Sequence, residues 1–158
     1  MALVEVSAMR LGDAEPLKRV LEASTDFPQN LLKFYGPGES HYRRLCARVD
    51  GQIVGVLSGS FDSDFFESGA FDAFDLPPAP HAFLDRVHVH ESARGAGAGK
   101  ALVMEYARQA EGHGCTFIGG SIDLSSDAGG RRAFFERLGF TIRAHDNFGA
   151  MPSRILTP

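Results

Sequence analysis

A chain of 158 residues is the size of one folded domain and can bury a substantial core, so a single domain over residues 1–158 is expected. Its 16 Lys and Arg against 20 Asp and Glu give a net charge of -4 without a long basic run, which argues against a nucleic-acid surface as its main business. Residues 1–10 lack a basic start followed by an apolar core, and no apolar run approaches the roughly 20 residues that span a bilayer, so no membrane contact and a cytoplasmic location are expected.

Residues 2–8 alternate in places (Leu3, Val4, Val6) and predict a first strand. Gly12-Asp13 opens a helix through Leu21 with Asp13 as N-cap, and Asp26-Phe27-Pro28 breaks it. Residues 29–35 predict a short second helix, ended by Gly36-Pro37-Gly38. Residues 45–49 and 53–60 flank Asp50-Gly51, a type I′ turn signal, and predict an antiparallel hairpin. Cys46 and Cys115 stand alone, without a Cys-x-x-Cys arrangement or a His partner at metal spacing. Both read as reduced, packed thiols, and no metal is expected.

Residues 61–80 are compositionally unusual. Phe61, Phe65, Phe66, Phe71 and Phe74 are interleaved with Asp62, Asp64, Glu67, Asp72 and Asp75, with neither Lys nor Arg, and Pro77-Pro78-Ala79-Pro80 closes the segment. Three readings stand side by side: a long loop with docked phenylalanines and solvated carboxylates, a lid whose acidic groups attract a cationic amine, or a dimer contact.

Residues 83–90 predict a strand with two unlike faces, because Arg86-Val87-His88-Val89-His90 alternates polar and β-branched side chains. From Ala98 the period turns helical: Leu102, Tyr106 and Ala110 recur every four residues beside Val103 and Ala107, up to Gly112-His113-Gly114. Residues 116–124 predict the next strand, with Gly119-Gly120 either a bulge or a place of close backbone approach. Ser125, Ser126 or Asp127 caps a closing helix. Gly129 and Gly130 each cost about 1 kcal/mol relative to Ala in a helix, so regular helix is expected after them. Gly139 ends it, and residues 141–145 and 151–156, joined through Asp146-Asn147-Phe148-Gly149, predict a final hairpin.

The chemistry concentrates in the turn between the strand at 83–90 and the following helix, Arg94-Gly95-Ala96-Gly97-Ala98-Gly99-Lys100. A turn without side-chain bulk at a helix N-terminus exposes several backbone N–H groups, and the helix dipole favours an anion there. Arg94 and Lys100 add positive charge. A Walker A loop does not fit, since Gly95 and Gly99 are too close and Ala101 replaces the metal-binding Ser or Thr; a dinucleotide fingerprint fits poorly, since the spacing is Gly95-x-Gly97-x-Gly99.

Val87-x-Val89 followed by Arg94-x-x-Gly97-x-Gly99 resembles the acetyl-CoA signature of the GNAT N-acetyltransferase superfamily. Downstream, Ala133-Phe134-Phe135-Glu136-Arg137-Leu138-Gly139-Phe140 resembles that family's closing helix. The resemblance implies an α/β, three-layer fold with a central mixed, mostly antiparallel sheet flanked by helices. It also implies acetyl-CoA as donor, and a small-molecule amine or a peptide N-terminus as acceptor in direct transfer.

For the donor, the resemblance implies Val87, His88 and Val89 on the strand and Arg94, Gly95, Ala96, Gly97, Ala98, Gly99 and Lys100 in the turn. It adds Phe134 and Phe135 on the closing helix. The Val89 N–H is the oxyanion candidate. A primary amine with a pKa of about 10.4 is nearly all protonated at neutral pH, so a base helps. Asp85 and His88 are the local candidates, on opposite faces of the strand. Asp85, if buried with Val87 and Val89, would have a raised pKa, and His88 titrates near the right pH unaided.

Many family members carry Tyr where this chain has Phe135, which has no proton for the departing thiolate. Ser125, Ser126, Tyr35 and Tyr42 are the candidate substitutes, and Ser126 is a catalytic candidate. Phe135 also has a structural reading: with Leu138 as C-cap it pairs with Phe140 in a Schellman ending. An acyl-CoA-binding or sensing module with little turnover is the alternative, and the C-terminal edge strands leave a homodimer open.

Overall fold

The computed structural model describes residues 3–37, 40–125 and 127–156. In chain order the elements are β1 (Val4–Ala8), α1 (Ala14–Ala23), β2 (Arg43–Val49), β3 (Gln52–Ser63), α2 (Phe65–Ser68) and β4 (His81–Val89). They continue with α3 (Ala98–Gly112), β5 (Ile118–Ser121), α4 (Ala128–Leu138), β6 (Thr141–Arg143), β7 (Asn147–Ala150) and α5 (Pro152–Leu156). Short 3-10 turns occupy Leu11–Asp13, Gln29–Tyr35, Glu91–Ala93 and Ala144–Asp146. The strands form one sheet in the order β1-β2-β3-β4-β5-β7-β6, antiparallel at β1–β2, β2–β3, β5–β7 and β6–β7 and parallel at β4–β5. This is the mixed, mostly antiparallel sheet flanked by helices that the resemblance implies.

The chain divides into two compact units. The first comprises Met1–Gly59 and Arg86–Glu105. Its core gathers Leu17 and Leu21 of α1 with Phe27, Tyr35, Cys46, Ile53 and Val56, and Met9, Leu31 and Leu32 pack against them. The β2–β3 hairpin turns at Asp50-Gly51 as predicted, both residues at positive φ. Asp13 precedes α1, but its carboxylate does not cap that helix. It accepts from the Arg10 N–H at 2.8 Å and from Arg48 at 2.7 Å, because a guanidinium on β2 is a stronger partner than a free helical N–H.

The second unit comprises Ser60–Asp85 and Tyr106–Pro158. Phe65, Phe71 and Phe117 form its core cluster, with Phe74, Leu76 and Phe83 against it, so most of the phenylalanines of the acidic segment dock and Phe66 is left exposed. His81, fully buried, accepts the Phe65 N–H on Nδ1 at 2.9 Å and bonds the Pro77 carbonyl through Nε2 at 2.8 Å. Gly119 and Gly120 are places of close approach, as one of the two expectations had it. A Cβ at Gly119 would lie 2.7 Å from the Phe71 ring, and one at Gly120 would meet the Phe148 ring and the Leu84 carbonyl.

Among the differences from the sequence reading, β5 spans only part of the expected 116–124, and two further changes have a clear physical cause. The closing helix α4 starts at Ala128 and includes both glycines, because the Asp127 carboxylate accepts the Gly130 N–H at 3.2 Å and supplies the cap early. The final hairpin pairs β6 with residues 147–150, of which 147–149 were expected to lie in its turn, and residues 152–156 of the expected second strand form α5 instead. The cause is tertiary. Asn147 is buried, donating to the Ala70 carbonyl at 2.6 Å and accepting from Ser121 Oγ at 2.6 Å, while Pro152 suits the first position of a helix.

Candidate active site

β4 alternates as its sequence requires. Leu84 and His88 are buried, Val87 and Val89 are half-buried, and Asp85 is exposed. The burial considered for Asp85 beside Val87 and Val89 is therefore not there. Its face of the strand is the more open one.

Beyond Val89 the chain is fastened before it turns. The His90 N–H donates to the Val54 carbonyl at 2.8 Å, and His90 Nδ1 accepts the Ser92 N–H, capping the turn Glu91–Ala93. Gly95 and Gly97 then take φ of 89° and 85°, a region that glycine enters without steric cost. The Ala101 N–H bonds the Gly97 carbonyl at 3.0 Å and closes the first turn of α3. By helix geometry the N–H groups of Ala98, Gly99 and Lys100 precede the ladder. A Cβ at Gly95 or Gly97 would meet nothing within 4 Å, so the space over this turn is open. Ala96 is the exception within the predicted cradle, since its N–H is spent on the Ala93 carbonyl at 3.3 Å.

Arg94 is half-exposed. Its Nε donates to the Val89 carbonyl at 3.1 Å and its Nη2 to Asp26 Oδ2 at 2.6 Å. Asp26 was not singled out as a functional residue from sequence. Asp26-Phe27-Pro28 read as a helix breaker, and no spacing rule connects it to a residue 68 positions away. Its Oδ1 faces His88 Nε2 at 3.9 Å, and the Phe27 ring stands edge-on to the imidazole with centroids 5.1 Å apart. Burial alone would raise the pKa of Asp26, but the Arg94 hydrogen bond and charge, with His88 behind them, bring it below the ordinary aspartate value. A second tether joins the same two segments: Glu91 Oε1 accepts from the N–H and the hydroxyl of Thr25, both at 3.3 Å.

The structure thus brings Val87, His88, Val89 and Arg94 to Lys100 together within the first unit. Tyr35 is also in this unit, buried, its hydroxyl 3.2 Å from Ser58 Oγ, while Tyr42 is half-buried. Asp85, Phe134 and Phe135 belong to the second unit. There Phe134 is half-buried, and Phe135 is buried against Phe140 and Phe148. The Phe140 N–H bonds the Phe135 carbonyl and the Gly139 N–H that of Glu136, both at 3.1 Å, which is the predicted Schellman ending. Ser125 Oγ donates to Asp123 at 2.6 Å, and Ser126 lies outside the described residues. Among the described residues no group of three His, Cys, Asp or Glu is placed to hold a metal ion, and no helix is long and apolar enough to cross a membrane.

Residues 13–140 match the model of the Acetyltransferase (GNAT) family. No curated protein matches the chain. Among solved structures it is similar to a GNAT-family protein from Desulfovibrio desulfuricans, with a TM-score of 0.72 and 16% identity, covering 95% of this chain and 99% of that one. A GNAT family N-acetyltransferase from Escherichia coli in complex with CoA gives a TM-score of 0.68 at 17% identity, covering 99% and 86%. A ribosomal-protein-alanine N-acetyltransferase from Brucella melitensis gives 0.65 at 20%, covering 85% and 90%. At these identities the likeness is one of fold.

Proposed function

Because this chain belongs to the GNAT acetyltransferase family, we propose that it moves the acetyl group of acetyl-CoA directly to a primary amine, on a small molecule or at a peptide N-terminus. One observation carries the reading: the open turn at Gly95 and Gly97, both at positive φ, delivers the first N–H groups of α3 to unfilled space between Arg94 and Lys100. A diphosphate suits such a site by hydrogen bonding and by charge. The Escherichia coli neighbour that carries CoA adds to it.

Acetyl-CoA supplies an activated thioester. The chain's own groups supply the rest. Gly97, Ala98, Gly99 and Lys100 hold the diphosphate, and Val87 to Val89 offer strand backbone to the donor's amide arm. The Val89 N–H faces the developing oxyanion. His88 takes the proton that the attacking amine loses as its nitrogen bonds the acetyl carbon, and the thiolate released by C–S cleavage is protonated in turn. The acceptor class is supported by the Brucella melitensis neighbour, named for its action on a ribosomal-protein alanine. Asp85 is exposed and belongs to the second unit, and the base role is given to His88.

A second reading is favoured by Phe135. It offers no proton to a thiolate and its ring is occupied in packing, as befits a module that binds acyl-CoA with little turnover. Calorimetric titration with acetyl-CoA, with ATP and NAD as controls, followed by thiol release across a panel of amines, separates the two. Saturable acetyl-CoA binding with amine-dependent thiol release is expected. Binding without release on any amine would favour the module, and no binding would overturn the donor site.

A further inference from the structure

Asp26 stands between two residues that the proposed reaction uses differently. Oδ2 takes Arg94 at 2.6 Å; Oδ1 is buried, has no hydrogen bond among the described residues, and faces His88 Nε2 at 3.9 Å. That gap lies within ion-pair range and beyond hydrogen-bond reach. The loop bearing Asp26 is anchored independently through Thr25 and Glu91, so the carboxylate keeps its place when one partner leaves. Arg94 is the more exposed party, and its Nε bond to the Val89 carbonyl leaves the outer guanidinium nitrogens to exchange partners. Its side chain is 47% exposed, it lies beside the open turn, and a guanidinium exchanges a half-exposed carboxylate for a phosphate readily, since both accept its forked donors.

We infer that Asp26 is a positioning residue that couples donor binding to the base: shared between Arg94 and His88 in the free protein, it passes to His88 when the donor's phosphates draw Arg94 away. This rests on the function proposed above. With Arg94 engaged, the negative charge of Asp26 is spent, and His88 gains little from it. With Arg94 withdrawn, the same carboxylate favours the imidazolium and His88 becomes the stronger proton acceptor once a thioester is in place. The lowered pKa of Asp26 agrees with a carboxylate held chiefly by Arg94, with His88 behind it. Other charged groups around this pair, among the described residues, include Glu91, whose charge acts on Asp26 and whose carboxylate is held by Thr25, His90 beside Glu91, and Arg86, whose guanidinium lies 5.9 Å from the centre of the Phe27 ring that abuts His88. All three stay in place in the exchange.

The test is an NMR titration of His88, free and saturated with CoA, in wild type, Asp26→Asn and Arg94→Gln, alongside steady-state kinetics. In wild type, CoA is expected to raise the proton affinity of His88 by about threefold or more. In Asp26→Asn, CoA still binds but less than about a third of that rise remains, and kcat falls about tenfold with the KM for acetyl-CoA moved less than about threefold. In Arg94→Gln, His88 already has the raised affinity before CoA is added. Should Asp26→Asn not fold, Asp26→Glu takes its place and is expected to keep most of the rise. An equal rise in wild type and Asp26→Asn, or an unaltered His88 in free Arg94→Gln, overturns the coupling alone. Absence of CoA binding to the wild type overturns the donor site, and the coupling with it.

Discussion

Phe135 lies flat on Phe148, with ring centroids 3.9 Å apart and 12° between the planes, and both rings meet Phe140 edge-on. At a position where the resembled family commonly carries a hydroxyl, this chain has built an aromatic stack at the end of α4. Phe135→Ala is therefore expected to destabilise the fold by about 3–5 kcal/mol, as large-to-small changes of buried aromatics do. Phe135→Tyr keeps the ring and is expected to cost less. Urea unfolding of both variants checks the order, and an equal cost would mean that the stack contributes little.

Gly97→Glu is expected to abolish acetyl-CoA binding. The φ of 85° strains any side chain there, and the carboxylate would repel a diphosphate. Because a Cβ at this position meets nothing within 4 Å, the variant should still fold. Calorimetry on a variant with native circular dichroism decides it, and undiminished affinity would move the donor elsewhere.

Acid should weaken the first unit through Asp13. Burial alone would raise the pKa of this carboxyl, but the hydrogen bond from Arg48, the Arg10 N–H and both positive charges bring it below the ordinary aspartate value. A group with a depressed folded pKa contributes its stability above the unfolded value, about 3.9, and loses it as pH falls through the lower folded value. The midpoint of urea unfolding should thus drop between pH 6 and pH 3, and drop less in Asp13→Asn. Parallel losses in the two proteins would assign the acid sensitivity to other groups.

Cys46 is fully buried, and that burial, with Asp13 nearby, pushes its thiol up to about 11. Since the thiolate is the reactive form, native protein at pH 8 should leave Cys46 unlabelled by a disulfide reagent until denaturant is added. Cys115 is buried as well, its Sγ 3.4 Å from the Phe61 carbonyl, so two thiols should appear together on unfolding. Labelling of Cys46 in the native protein would show that the first unit opens locally.

What the sequence disclosed follows from how local each cause is. The turn from Arg94 to Lys100, the face of α3 carrying Leu102, Tyr106 and Ala110, and the Asp50-Gly51 hairpin are written in adjacent residues, and the structure has all three. The ending of α4 was legible for the same reason. Asn147 shows the opposite case: its partners Ala70 and Ser121 are distant in the chain, and they turn a segment with loop composition into β7. Asp26 is illegible for a like reason, since its meaning comes from Arg94 and His88, which only folding brings near.

His81 adds a constraint of another kind. Its ring accepts a hydrogen bond from the Phe65 N–H on one edge and bonds the Pro77 carbonyl from the other, so it works as a two-sided peg between the start and the end of a segment of thirteen residues, 65–77. Only the neutral ring with hydrogen on Nε2 has the acceptor and the donor in those places. A primary amide offers both functions on one tip, a phenyl ring offers neither, and a doubly protonated imidazole would set two donors against each other at Phe65. Position 81 therefore favours the two-sided donor and acceptor of a neutral imidazole, although it forms no part of the proposed reaction.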